Sequence, residues 1–242
     1  MNYENMHTLK CRLGNYDAGS LLDVAVGRGD FLDFAMRSFR TWKSLAGIDI
    51  DGQSLQTAAK KFSDTSVILI RGSALDMPFT SRYFDTVTMS NALHHMENLP
   101  PLFTETCRVC NERGLIVINE MLNESHSRLQ ETYMLYHRFI AEVDNQLGYF
   151  HREPFTLKEL LSIIKNSTFD MIEYFVHEET TGDYLDPDEI EAMSDRLRNK
   201  VQLLRGTDYY YFYENKAREI INRLAVTGVH RPRHIAFILR PT

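Results

Sequence analysis

The stretch Leu21-Leu22-Asp23-Val24-Ala25-Val26-Gly27-Arg28-Gly29-Asp30-Phe31 begins as an apolar strand, turns on two glycines and enters a helical pattern with apolar residues at Phe31, Phe34, Ala35 and Phe39. A glycine-bearing turn between a first strand and its helix lets a cofactor approach the backbone, while the helix N-terminus offers free N–H groups and a positive dipole end. Several cofactors share that physics. A dinucleotide fingerprint needs Gly or Ala at position 32 for close helix packing, and Leu32 is neither. Asp23 stands ahead of the turn, placed to anchor the loop or to receive an ammonium, which disfavours a pyrophosphate at the same spot.

Outward from this turn, short apolar runs alternate with helical patterns as far as Ile118, the signature of βαβ units and a parallel sheet. Strands are expected at Leu21–Val24, Leu45–Ile50, Val67–Ile70, Phe84–Met89 and Leu115–Ile118, with helices over Phe31–Phe39, Ser54–Phe62 and a segment ending near Cys110. Beyond Glu120 a long, His-rich and aromatic-rich helical stretch, Ser127–Leu147, occupies a place where a compact α/β unit needs only a connection. Thr156-Leu157-Lys158-Glu159 is a capping box that starts a helix to about Lys165, and Met171–Val176 reads as strand six. Asp186-Pro187-Asp188-Glu189 opens a second helical insertion, continuing over Arg196–Leu204 and Lys216–Leu224, and His234–Leu239 is the seventh strand. The expected architecture is α/β: one Rossmann-like domain over residues 1–242, its seven-stranded, mostly parallel sheet covered by helices on both faces. Helical lid insertions are placed at about 121–153 and 184–230.

Strand two ends in Asp49-Ile50-Asp51, where Asp49 can accept both hydroxyls of a ribose and Asp51, before Gly52, suits a helix cap. Arg71-Gly72-Ser73-Ala74-Leu75-Asp76-Met77-Pro78-Phe79 and Phe84-Asp85-Thr86-Val87-Thr88-Met89-Ser90-Asn91-Ala92-Leu93-His94-His95 follow in order. With these motifs the sequence resembles the class I methyltransferases dependent on S-adenosylmethionine (SAM), in the broad group of small-molecule enzymes related to quinone biosynthesis. The resemblance runs closely over about Leu21–Glu120. It implies that Asp23 and the backbone of Ala25, Gly27 and Gly29 hold the methionine part of SAM, with Asn91 from strand four. Asp49 takes the ribose with Ile50 beside it, and Ser73 and Ala74 take the adenine. Ala25 stands where the family usually has Gly, a strained choice if the turn needs a positive φ. Ser73 replaces the usual Asp, and Asn111-Glu112-Arg113-Gly114 replaces a common Lys-Pro-Gly-Gly turn.

Methyl transfer from a sulfonium is an in-line displacement that relies on alignment in a dry site, so no nucleophilic residue is required. A base helps for a hydroxyl or acidic-carbon acceptor, and His95, after strand four, is the candidate catalytic group. His126, His137 and His151 with Glu131, Glu142 and Asp144 supply metal-ligand types, but none makes a His-x-x-x-His pair, and no metal is expected. The aromatic run Tyr209–Tyr213 is bracketed by Asp208 and Glu214, so it reads as lid packing, a substrate wall or a homodimer contact. The 27 Lys and Arg against 33 Asp and Glu, a formal charge of −6, give no general attraction to nucleic acid or anionic membrane. With no basic-then-apolar leader and no run of about 20 apolar residues, a cytoplasmic protein is expected. Three cysteines argue against a disulfide framework, and Cys107 and Cys110 are read as helix residues facing the core. The expected partner is a small-molecule methyl acceptor. The alternative is a noncatalytic SAM- or nucleoside-binding subunit whose insertions form a protein interface; a nicotinamide dehydrogenase is disfavoured by Leu32 and Asp23.

Overall fold

The computed structural model describes residues 6–178 and 184–242. Strands β1 (Ser20–Val24), β2 (Ser44–Asp49), β3 (Val67–Arg71), β4 (Phe84–Ser90), β5 (Cys110–Met121), β6 (Phe169–His177) and β7 (His234–Pro241) form one sheet in the order β3-β2-β1-β4-β5-β7-β6. The first five pair in parallel, and β7 runs antiparallel between β5 and β6. This is the expected seven-stranded, mostly parallel α/β sheet. Leu21, Leu22, Asp23 and Val24 are all buried, because a central parallel strand is covered on both faces and so reads as a continuous apolar run rather than an alternation.

Helices α1 (Met6–Leu13), α2 (Asp30–Ser38) and α3 (Gly52–Lys61) belong with one face of the sheet, whose core contains Leu9, Leu13, Leu32, Ala35, Leu55 and Ala58. On the other face, α4 (Leu99–Val109) and α6 (Leu157–Lys165) contribute Leu102, Phe103, Leu160 and Ile164 to a core built on Val24, Val87 and Ile118. Thr156 and Glu159 form the expected capping box at the start of α6, the Glu159 N–H donating to Thr156 Oγ1 (3.3 Å) and the Thr156 N–H to Glu159 Oε2 (2.7 Å).

The remaining helices, α5 (Arg128–Gln146), α7 (Pro187–Gln202) and α8 (Tyr210–Thr227), enclose a third apolar cluster of their own, with Phe139, Leu197 and Leu224 fully buried. Ser127 caps α5 and Asp186 caps α7. Helix α8 starts six residues before the expected Lys216, because Tyr213 and Ala217 both face this cluster and the aromatic run is its first turn. Tyr213 packs inward, while Tyr209, Tyr211 and Phe212 are exposed.

Two readings of the sequence need correction. Cys107 and Cys110 do not share a helix face: α4 ends at Val109, and Cys110 takes an extended conformation and pairs with Phe84 as the first residue of β5. Cys107 is only half-buried and donates through Sγ to the Thr168 carbonyl. The strand at 115–118 is also longer than its apolar run, because Asn119 and Glu120 bury polar side chains without breaking the ladder to β7.

Candidate active site

The strand order reverses direction between β1 and β4, and at such a switch point the loops leaving the C-terminal ends of the strands part to leave a crevice. Of the cofactor residues expected from sequence, Asp23 lies near the C-terminal end of β1, Asp49 ends β2, and the others are carried by the loops that follow β1, β2, β3 and β4. After β1 the chain takes positive φ at Ala25 (55°), Gly27 (52°) and Gly29 (83°), and after β4 at Asn91 (50°). Two non-glycine residues therefore occupy the left-handed region, which costs an alanine on the order of 1–2 kcal/mol.

Asp49 closes the turn. Its Oδ2 accepts the Gly27 N–H (2.7 Å) and its Oδ1 accepts the Asp51 N–H (2.8 Å), so one carboxylate ties the end of β2 to the turn after β1. Asp51 caps α3 by accepting the N–H groups of Gln53 and Ser54. Ile50, beside Asp49, exposes an apolar side chain at 73%. The Gly72 N–H donates to the Asp49 carbonyl (2.9 Å), which brings the Ser73–Ala74 loop to the same end of the sheet. Ser73 Oγ accepts the Leu75 N–H, and Ala74 packs against the core.

Asp23 lies deeper. It is buried and accepts a 2.6 Å hydrogen bond from Thr88 Oγ1 on β4. Burial, opposed by that hydrogen bond and reinforced by the Asp49 charge, raises its carboxyl pKa to about 7. Asn91 is pinned at the end of β4, its Oδ1 accepting the Met121 N–H and its Nδ2 lying 3.4 Å from His234 Nε2.

Beyond Asn91 the chain forms a 3-10 turn, Leu93–His95, held by a residue that sequence reasoning passed over. Glu120 is fully buried on β5 and accepts from Ala92 N (2.6 Å) and Leu93 N (2.8 Å), with His94 Nδ1 at 3.0 Å. A carboxylate ending a run of buried apolar strand residues was the available signal. The turn sets His95 on the surface, its ring 4.4 Å from that of His94 and 4.0 Å from that of His151. Partial desolvation, with the repulsion of the neighbouring histidines, lowers the His95 pKa.

Of the acid and histidine types weighed for a metal, the fold draws His126, Glu131 and Glu142 away and sets Asp144 beside His151. His126 joins Glu124 and Arg233, Glu131 pairs with Arg223, and Glu142 pairs with Lys216. His137 and His151 come together instead with His94. Two cavities of about 540 and 550 Å³ lie beside α4 and α6 and at the opposite strand ends near Gly19; neither is lined by the cofactor-loop residues.

Residues 22–118, which carry the turn, Asp49, Ser73 and Asn91, match the family model of a methyltransferase domain. Over this stretch, less than half of the chain, the sequence is similar to methyltransferase domains. A demethylmenaquinone methyltransferase of Bacillus licheniformis is 29% identical over 127 residues, covering 52% of this chain and 55% of the relative. One from Staphylococcus aureus strain MRSA252 is 26% identical over 127 residues, covering 52% and 53%. The chain thus spans about half the length of the curated relatives it matches. Among solved structures, a SAM-dependent methyltransferase from Thiobacillus denitrificans in complex with S-adenosyl-L-homocysteine is similar with a TM-score of 0.58 at 16% identity, over 98% of this chain and 90% of that one. The cyclase SpnF is similar at a TM-score of 0.62 and 16% identity, over 97% and 78%. The likeness in fold therefore extends beyond the matched residues, but it does not by itself assign chemistry, which belongs to the site.

Proposed function

We propose that this chain transfers the methyl group of SAM to a small-molecule acceptor held between the sheet and the helices α5, α7 and α8, which serve as a lid. The observation that carries the reading is the left-handed turn Ala25–Gly29 clasped by Asp49, at the switch point of a methyltransferase domain. The residues present suit the cofactor. A Cβ at Gly27 would meet nothing nearer than 4.0 Å, so the turn leaves open space for a ligand against its backbone. Asp23, a buried carboxyl with a raised pKa, gains its charged form from an ammonium placed beside it. Each Asp49 oxygen keeps a lone pair beyond its one backbone donor, enough for ribose hydroxyls, and exposed Ile50 offers an apolar face to adenine.

SAM supplies an electrophilic methyl group on a sulfonium. In this reading Asp23, Gly27, Gly29 and Asn91 orient the methionine part, Asp49 and Ile50 the nucleoside, and Ser73 and Ala74 the adenine edge. His95 borders the acceptor. A neutral imidazole there can accept a hydrogen bond from the acceptor. Free thiols at Cys11, Cys107 and Cys110 suit a reducing cytoplasm. Among the described residues no helix is long and apolar enough to cross a membrane.

Calorimetry with SAM, S-adenosylhomocysteine and NAD tests the reading. SAM and its demethylated product should each bind at one site per chain and NAD should not; binding of NAD alone would overturn it.

A further inference from the structure

We propose that His94, His137 and His151 form a binding site for a divalent zinc ion. The three side chains come from three separate elements: the 3-10 turn after β4, the middle of α5 and the loop that follows α5. All are buried, at 2%, 8% and 4% exposure. Their ring nitrogens converge, with His137 Nε2 lying 3.4 Å from His94 Nε2 and 3.4 Å from His151 Nε2. One ligand atom from each lies within 4.8 Å of the others.

The outer nitrogens decide what the inner ones can do. His94 Nδ1 faces Glu120 Oε2 at 3.0 Å and His151 Nδ1 faces Asp144 Oδ2 at 2.8 Å. A carboxylate only accepts, so both Nδ1 atoms carry the proton and both Nε2 atoms present lone pairs to the same small space. His137 has one proton for its two ring nitrogens, and its Nδ1 is buried with no partner. If the proton is on Nε2 it points at two acceptors and leaves a buried lone pair at Nδ1. If it is on Nδ1, three lone pairs face one another. A cation bound at the three Nε2 atoms turns that repulsion into coordination.

The spacing suits zinc. Ligands about 2.0–2.1 Å from a tetrahedral ion are separated by roughly 3.3–3.4 Å, the separation of the two pairs that share His137; the His94 and His151 nitrogens, within 4.8 Å, close on the ion by small ring rotations. Carboxylates behind two of the three imidazoles are the outer partners that fix tautomer and ring direction in zinc sites. The loop is also locked in advance. Asn145 accepts the His151 N–H (3.2 Å) and donates to the His151 carbonyl (2.5 Å), while the Arg152 N–H donates to the His94 carbonyl (3.0 Å). Three protein nitrogens leave a fourth position for water, as in zinc sites that do chemistry rather than those that only hold a fold. Neutral imidazoles favour zinc over magnesium or calcium, which take oxygen ligands.

The test is metal content and metal position. Purified full-length chain, stripped with chelator and dialysed against zinc, should retain one zinc per chain. His137→Ala and His151→Ala, each checked for native circular dichroism, should each lower affinity at least about 100-fold. Anomalous diffraction from wild-type crystals soaked in zinc should place the ion within bonding distance of the three Nε2 atoms, a readout that needs no variant to fold. Retention of less than one equivalent, unchanged affinity in folded alanine variants, or an anomalous peak at His126 and Glu124 instead would each overturn the proposal.

Discussion

Replacing Gly29 with alanine tests whether the turn after β1 is shaped by backbone conformation, by packing, or by both. Gly29 has φ of +83°, and a Cβ there would lie 2.5 Å from Phe62 Cε2, 3.1 Å from Phe62 Cζ and 3.4 Å from Ala58 Cβ. The left-handed backbone costs an L-residue about 1–2 kcal/mol. Phe62 is 5% exposed at the end of α3 and cannot swing into solvent, so the overlap forces a shift of helix or ring costing about 1–3 kcal/mol more. The sum is about 2–5 kcal/mol, or roughly 10 °C in Tm for a chain of this size. Gly148 is the internal control, because it also has φ of +83° but a Cβ there meets nothing within 4 Å. Gly148→Ala should therefore cost only the backbone part. Urea unfolding of both variants, with the denaturant slope checked for constancy, measures the difference directly. Equal losses within about 0.5 kcal/mol would refute the role assigned to Phe62.

Three further outcomes are expected. Ala25→Gly should stabilise the protein by about 0.5–1 kcal/mol, because relief at φ of +55° exceeds the entropy that glycine adds to the unfolded chain; a loss of stability in urea would count against strain at this position. Asp23 binds its proton more tightly folded than unfolded, so its contribution is full below about pH 4 and is lost as pH rises toward 7. Asp23→Asn should then gain stability relative to wild type between pH 5 and pH 8, by on the order of 1–3 kcal/mol, and parallel stability curves would contradict the raised pKa. Leu197→Ala, in the cluster shared by α5, α7 and α8, should cost about 2–5 kcal/mol and accelerate amide exchange in those helices while β4 and β5 stay protected; uniform acceleration would show that the three helices do not open as a unit.

The sheet was legible because its central strands are buried on both faces, so Leu21–Val24 and His234–Leu239 announce themselves as apolar runs; the edge strand at Val67–Ile70 is apolar in sequence although Ile68 is exposed. Helices with strong signals at their ends were legible too, as the Thr156–Glu159 box and the Asp186-Pro187 start show. Helix α1 was not anticipated, because an eight-residue segment in which Leu9 and Leu13 are the buried residues among the described side chains offers too little periodicity. For the site, local motifs could mark the turn after β1 and the acid ending β2. They could not show that Asp49 spends both oxygens on the backbone, since the Gly27 contact spans 22 positions. The histidines were judged by their spacing along the chain, yet His94 and His137 are 43 residues apart and are joined by tertiary folding alone. Spacing rules find ligands that share an element; a site assembled from a strand end, a helix and a loop leaves no such trace.

The antiparallel seventh strand also bears on how the protein is made. Among the described residues, strand β6 pairs with β7 alone, and β5 pairs with β4 on one edge and β7 on the other. During synthesis, at about 5–20 residues per second, the ribosome finishes β5 and β6 and then spends several seconds on α7, α8 and their connections before His234 appears. Throughout that interval the Ile116–Met121 edge of β5 is unpaired and β6 has no sheet to join, the exposure that invites strand pairing between chains. Closure of the sheet is a late event that zips both strands at once, and a nascent chain stalled before residue 234 is the form most in need of a chaperone.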